Sequence, residues 1–181
     1  MTVRRRASAA ALVVLIGATG CGADPDRTAD TMGSNGSVGA MLLRNVYVVA
    51  PGGDGYERGD DATVRLTLVN HAPRDDAVLG VRSTHAARVA MRWDRECDGV
   101  LEEVTKIPVL MNGTVPGADA AYELELLDLT RKVRAGTTVP ITFTFRNAGE
   151  VRLDAMVEAT HDGDAPAAQD CQEGTEDAGP T

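Results

Sequence analysis

Several features that mark enzymes and membrane-spanning proteins are missing from this sequence. Of its 181 residues, only three are cysteine and three are histidine. It has no Gly-x-Ser-x-Gly motif, no His-Glu-x-x-His motif and no glycine-rich phosphate loop. No apolar run approaches the roughly 20 residues that a helix needs to cross a bilayer. We therefore expect a protein that is neither an enzyme nor an integral membrane protein.

The few titratable candidates for catalysis fall in turns and loops. His71 lies in a predicted turn, His85 in or beside a short loop, and His161 at the start of the C-terminal tail. The acidic pairs Asp60-Asp61 and Asp75-Asp76 lie in turns, where such side chains usually cap backbone amides. We interpret all of them as solvated or capping residues.

Positive charge is also scarce. The chain has 18 basic and 27 acidic residues, a net charge of −9. Lysine occurs only as Lys106 and Lys132. Nucleic acid is therefore not an expected partner, because phosphate contacts require clustered basic residues.

The N-terminus has the three parts of a lipoprotein signal peptide. Arg4 to Arg6 form a basic region, Ala7 to Ile16 form an apolar region, and Ala18-Thr19-Gly20-Cys21 is similar to a lipobox. We predict a signal peptide over residues 1–20 and a lipid anchor on Cys21, which would hold the protein at the extracytoplasmic face of the cell membrane. An ordinary secretory cleavage is the alternative. Cleavage removes three arginines, leaving 15 basic against 27 acidic residues and a net charge of −12, so the acyl chains must provide the membrane attachment.

Composition divides the mature chain into three parts. Residues 21–40 are poor in core-forming side chains and are predicted to be a flexible stalk. Residues 41–160 have the length of one domain, and residues 161–181 are predicted to be an acidic tail.

Inside the domain, apolar residues alternate with polar ones at the period of a β-strand. This pattern predicts seven or eight short strands in an antiparallel β-sandwich. The predicted strands are residues 42–49, 64–68, 78–82, 88–93, 100–105, 122–126, 141–145 and 151–157.

Two cysteines remain after lipidation of Cys21. In an oxidising compartment, Cys97 and Cys171 are expected to form a disulfide. A metal site that includes one of them is the alternative, although no His or further Cys stands nearby in sequence.

Several segments of the domain resemble the periplasmic copper chaperone family, known as PCuAC. The resemblance covers roughly residues 42–160 and is most specific from Gly136 to Val151. It implies a cupredoxin-like, immunoglobulin-like sandwich that carries Cu(I) and, in several lineages, delivers it to cytochrome oxidase assembly. The other matching segments are residues 61–70, 75–81 and 122–129.

The family's copper motif is a histidine, a methionine about eleven positions later, and then a His-x-Met pair. By alignment of the flanking segments, Arg92 and Glu103 stand at the first two positions, and Glu123 and Glu125 stand at the pair. Soft thioether and imidazole donors suit Cu(I), whereas carboxylates are hard donors. The resemblance therefore implies a copper-chaperone-like lipoprotein whose copper ligands are replaced.

Three interpretations of these four positions stay open. In the first they form a solvated polar face, and in the second they form a face that binds a protein partner or another ligand. In the third, a copper site is rebuilt with other residues, namely Met91, Met111, His85 or His71. We expect no cofactor, with copper as the alternative, and a binding or assembly module as the function.

Overall fold

The computed structural model describes residues 33–95, 99–115 and 121–159. Regular structure in these ranges consists entirely of β-strands, and none of it is a helix long and apolar enough to cross a membrane. The strands are β1 Ser34–Val38, β2 Met41–Val48, β3 Gly55–Tyr56, β4 Ala62–Asn70, β5 Asp76–Ser83, β6 Ala86–Asp94, β7 Leu101–Val104, β8 Ile107–Val109, β9 Thr114–Val115, β10 Ala121–Leu129, β11 Val133–Arg134, β12 Thr138–Phe145 and β13 Glu150–Val157.

Eleven strands form one nearly closed sheet in the order β7-β6-β10-β4-β2-β13-β12-β5-β8, with β1 added to β2 and β9 added to β4. The remaining two, β3 and β11, pair with each other. Neighbours are antiparallel except β2 and β13, which run parallel over a short stretch. The predicted all-β class is confirmed, and the strand number is higher than the predicted seven or eight because several short strands fill turns and edges.

A single apolar core lies between the two halves of the folded sheet. Strand alternation sends every second side chain inward, as along β4, where Val64, Leu66 and Leu68 are at most 4% exposed. Core residues come from both halves of the sheet, which shows that the halves face each other. The outer faces carry the intervening polar residues.

A bulge in β2 keeps its apolar residues in the core. Met41 and Leu43 point inward and so do Val46 and Val48, which a regular two-residue period would not allow. Asn45, at a φ of 49°, supplies the extra residue, and Asn is one of the few side chains that adopt this conformation readily. The register between β2 and β4 shifts at this place.

The ordered domain begins earlier than residue 41. Residues 34–38, predicted to be part of the stalk, form β1 along β2. The Ser34 hydroxyl donates a hydrogen bond to the Asp154 carbonyl (2.5 Å) and accepts one from the Met156 amide (3.2 Å). The apolar-poor composition concealed this strand because it is held by backbone pairing and by small residues close to β13, not by large core side chains.

Candidate functional site

The four positions that the family resemblance predicts to match the copper ligands lie on one outer face of the sheet. Arg92 on β6 stands directly opposite Glu123 on β10 and opposite Glu103 on β7. Directly paired residues share a face of the sheet, as do residues two apart on a strand. Glu125 is therefore on the same face, and the topology brings together residues that are up to 33 positions apart in the sequence.

An ion pair occupies the centre of this face. Arg92 donates to one carboxylate oxygen of Glu125 through Nε, at 2.8 Å, and through Nη2. The two side chains are only 28% and 26% exposed. A second pair joins Arg88 Nη1 to Glu103 Oε1 at 2.6 Å, with both side chains about half exposed. Two of the three carboxylates are thus already neutralised by arginine.

Glu123 has a different environment. Within the described part of the chain, its carboxylate takes part in no hydrogen bond or ion pair. Burial raises the pKa of Glu123, and the nearby Arg65 guanidinium opposes that rise. Arg65 belongs to the same face, because Thr63, two residues before it on β4, pairs with Glu125. We call these six residues the charged face: Arg65, Arg88, Arg92, Glu103, Glu123 and Glu125.

The charged face offers oxygen donors and guanidinium groups, and it carries three positive and three negative charges. In the described ranges, no group of three or more His, Cys, Asp or Glu side chains is arranged to hold a metal ion. Guanidinium groups repel cations and bind carboxylates in preference. The arrangement suits recognition of polar or charged groups better than coordination of a soft metal.

A family model for LpqE-like lipoproteins matches residues 41–157. The chain belongs to the LpqE-like lipoprotein family. The matched range lies between Gly33 and Ala159, the first and last described residues, and covers more than half of the sequence. No curated protein matches the chain significantly.

Solved structures similar to this LpqE-like chain include PCuAC domains. The copper-bound PCuAC domain of PmoF2 is 26% identical, with a TM-score of 0.54 over 70% of this chain and 99% of that domain. The apo PCuAC domain of PmoF1 is 20% identical, with a TM-score of 0.57 over 70% and 100%. Cu(I)-DR1885 from Deinococcus radiodurans is 19% identical, with a TM-score of 0.50 over 70% and 82%. The resemblance to PCuAC domains seen in the sequence is confirmed.

The residues considered for a rebuilt copper site are divided between the core and the two ends of the sandwich. Met91 is 7% exposed and belongs to the core. Met111 is 56% exposed in the turn between β8 and β9. His71 follows β4, whereas His85 lies in the turn between β5 and β6, at the opposite end of the sandwich. Burial lowers the pKa of His85, and the described structure does not gather these four side chains at one point.

The acidic pairs cap backbone amides, as predicted. Asp60 accepts a hydrogen bond from the Glu57 amide, and Asp61 accepts one from the Asp128 amide, each at 2.8 Å. The Asp75-Asp76 pair has the same role at the other end of the domain. These carboxylates therefore have a structural role, because they accept hydrogen bonds that fix the loops.

Sequence reasoning missed Arg65 and Arg88. Strand parity could have found them, because Arg65 alternates with core residues and Arg88 is four residues from Arg92 on the same strand. It also missed the stack between Trp93 and Tyr122, whose ring centroids are 5.6 Å apart with Arg95 above the indole.

The three cysteines, Cys21, Cys97 and Cys171, lie outside the described residues, as does His161. The signal peptide, the lipid anchor, the disulfide and the acidic tail therefore remain predictions.

Proposed function

We propose that this LpqE-like protein is a lipid-anchored, extracytoplasmic and non-catalytic binding or assembly module. Its PCuAC-type domain would use the charged face in place of a copper site. The main support is the position of Arg92, whose guanidinium lies at the centre of the aligned ligand positions and is bonded to Glu125.

The chemistry of this arrangement disfavours Cu(I). Soft Cu(I) gains most from thioether and imidazole ligands, and here the aligned positions offer carboxylates and a permanent cation. Binding copper at Glu125 would require breaking its ion pair with Arg92 in a partly desolvated site. Removing one partner of such a pair leaves the other charge unpaired.

The proposed anchor accounts for the first 32 residues. Cys21 would carry the acyl chains, and residues 22–32 would connect it to Gly33, where the described domain begins. Membership of a lipoprotein family supports this assignment. We expect the partner to be a protein on the extracytoplasmic side.

A second candidate is a working copper chaperone with non-standard ligands. The copper-bound PmoF2 domain, 26% identical to this chain, favours it. Such a site would have to recruit donors such as Met111 or His71, which lie at the same end of the sandwich.

Restoration of the family motif tests the proposal. The variant Arg92→His, Glu103→Met, Glu123→His, Glu125→Met should gain Cu(I) affinity by at least about tenfold over the natural sequence, corresponding to about 1.4 kcal/mol. Affinity would be measured by competition with a Cu(I) chelator, because simple loading also reports loose binding to acidic residues.

The variant Arg82→His, Glu150→Met is the matched control. It places the same donor types at an exposed ion pair that is not part of the charged face, and it should not raise the affinity. If the restored variant gains nothing over this control, the proposed correspondence with the copper site is wrong.

A further inference from the structure

An exposed pair of apolar residues lies at one end of the sandwich, away from the charged face. Leu110 and Met111 are 62% and 56% exposed in the turn between β8 and β9. We call residues 110–113 the apolar turn. Two adjacent large apolar side chains in water are unfavourable for an isolated domain, because burying each is worth about 1.5–3 kcal/mol.

The backbone of the apolar turn is tightly constrained. The Gly113 amide donates to the Leu110 carbonyl at 2.9 Å, which closes a four-residue turn. Asn112 has a φ of 54°, and a Cβ atom at Gly113 would lie 2.9 Å from the Leu110 oxygen. The sequence Asn112-Gly113 is thus the one this turn requires.

A buried asparagine fixes the turn to the rest of the domain. Asn70 is fully buried, and its side-chain amide donates to the Val109 carbonyl at 3.1 Å while its backbone amide donates to the Gly113 carbonyl at 3.0 Å. Asp75 accepts a hydrogen bond from the Met111 amide at 2.8 Å. The apolar side chains are therefore presented from a rigid support, which lowers the entropic cost of binding.

Two cationic residues stand on the loops joined to this turn. Asp76 accepts hydrogen bonds from the amides of Asn147 and Ala148, which ties the loop after β12 to the loop that holds Asp75. Arg74 and Arg146 on these loops are exposed, and among the described residues neither forms an ion pair. The exposed Asp75 stands between Arg74 and the apolar turn, and its carboxylate already accepts a hydrogen bond from the Met111 amide.

The apolar turn also lies far from the chain's attachment side. Asn70 pairs with Met41 at one end of β2, whereas Val64 and Val157 both pair with Val48 at the other. Ser34 pairs with Val46, so the segment that leads back to Cys21 departs nearer the Val48 end. A surface at the opposite end is directed away from the tether.

We infer that the apolar turn is a docking point for a partner protein, which receives Leu110 and Met111 in an apolar pocket bordered by carboxylates. Hot spots combine buried apolar anchors with complementary charges at the rim, and Arg74 and Arg146 supply those charges. A lipid surface fits less well, because the apolar turn lies at the end of the sandwich opposite to the end of β1 that leads back towards Cys21. The apolar turn is separate from the charged face, so the proposal for one surface can be wrong while the proposal for the other is right.

Site-specific photo-crosslinking in the native host tests the inference. The full-length lipoprotein carries a diazirine amino acid at position 111, or at position 156 as the matched control. Met156 is also an exposed methionine, 41% accessible, and lies near the other end of the sandwich. Position 111 should yield a protein adduct that position 156 does not, and the crosslinked partner peptide should contain apolar residues next to Asp or Glu.

Charge reversal provides the second readout. Arg74→Glu with Arg146→Glu should reduce the adduct by at least about tenfold, since reversed rim charges repel an acidic border. Arg131→Glu, an exposed residue near the other end, should leave it unchanged, and the melting temperature of each variant checks folding. Adducts only with lipid or with a second copy, equal adducts at both positions, insensitivity to charge reversal, or no adduct would each overturn the inference.

Discussion

The ion pair between Arg92 and Glu125 should contribute more to stability than the exposed pairs of the same domain. Its two side chains are about a quarter exposed, whereas those of Arg82 and Glu150 are 61% and 50% exposed. Exposed pairs contribute about 0.2–1 kcal/mol, and coupling between contacting residues ranges over about 0.5–3 kcal/mol. We expect a coupling energy of about 1–2 kcal/mol for Arg92 with Glu125, and a smaller coupling energy for the exposed pair.

A double-mutant cycle measures this difference. The variants Arg92→Ala, Glu125→Ala and the double variant are unfolded with urea, and the free energies of unfolding are compared with those of the same cycle at Arg82 and Glu150. For a domain of this size, 1 kcal/mol corresponds to a shift in melting temperature of about 3–6 °C. Equal coupling in the two cycles would refute the view that the centre of the charged face is a partly desolvated ion pair.

Three further predictions concern protonation, anchoring and crosslinking. Burial raises the pKa of Glu123 above its usual 4.5, so the stability that its protonation contributes is fully present below the unfolded pKa and is lost as the pH rises through the folded pKa. Glu123→Gln should therefore be more stable than the natural protein at pH 7, and this advantage should shrink towards pH 4. A constant difference in the free energy of unfolding across this range would contradict the assignment. Cys21→Ala should abolish acyl labelling and move the protein from the membrane fraction to the medium, whereas retention in the membrane would show another anchor. Cys97 and Cys171 should be joined, so alkylation of native, non-reduced protein should find neither thiol free, and two free thiols would disprove the disulfide.

The strands could be predicted because their burial is regular. Val64, Leu66 and Leu68 alternate with polar residues, and the structure places them in the core as the two-residue period requires. Strand β1 could not be found in this way, since Ser34 is held by hydrogen bonds to β13. Its position depends on the pairing of β2 with β13, and which strands pair there is a property of the whole fold.

The candidate site was predictable in part. Similarity to the family predicted that Arg92, Glu103, Glu123 and Glu125 stand at the ligand positions, and the register of β6, β7 and β10 places these four residues on one face. The partners of these residues were not predictable, because long side chains reach beyond their direct cross-strand neighbours. Arg92 stands opposite Glu123 but bonds Glu125, as side chains on adjacent strands also contact diagonal neighbours.

The apolar turn shows another limit of sequence reasoning. An Asn-Gly pair such as Asn112-Gly113 is typical of a turn, but nothing local indicated that Asn70, about 40 positions earlier, would hold it. Such support arises only when the loops after β4 and β8 meet at the same end of the sandwich.

Cu(I) affinity of the purified natural protein tests the central proposal most directly. The LpqE-like domain and the PmoF2 PCuAC domain would each be titrated, in separate samples, against the same Cu(I) chelator under anaerobic conditions. Because Arg92 and three glutamates stand at the aligned positions, we predict that this domain yields its copper at chelator concentrations at which the PmoF2 domain retains it. Tight one-to-one binding by the natural sequence would contradict the proposal and would make Met111 and His71 the first ligands to substitute.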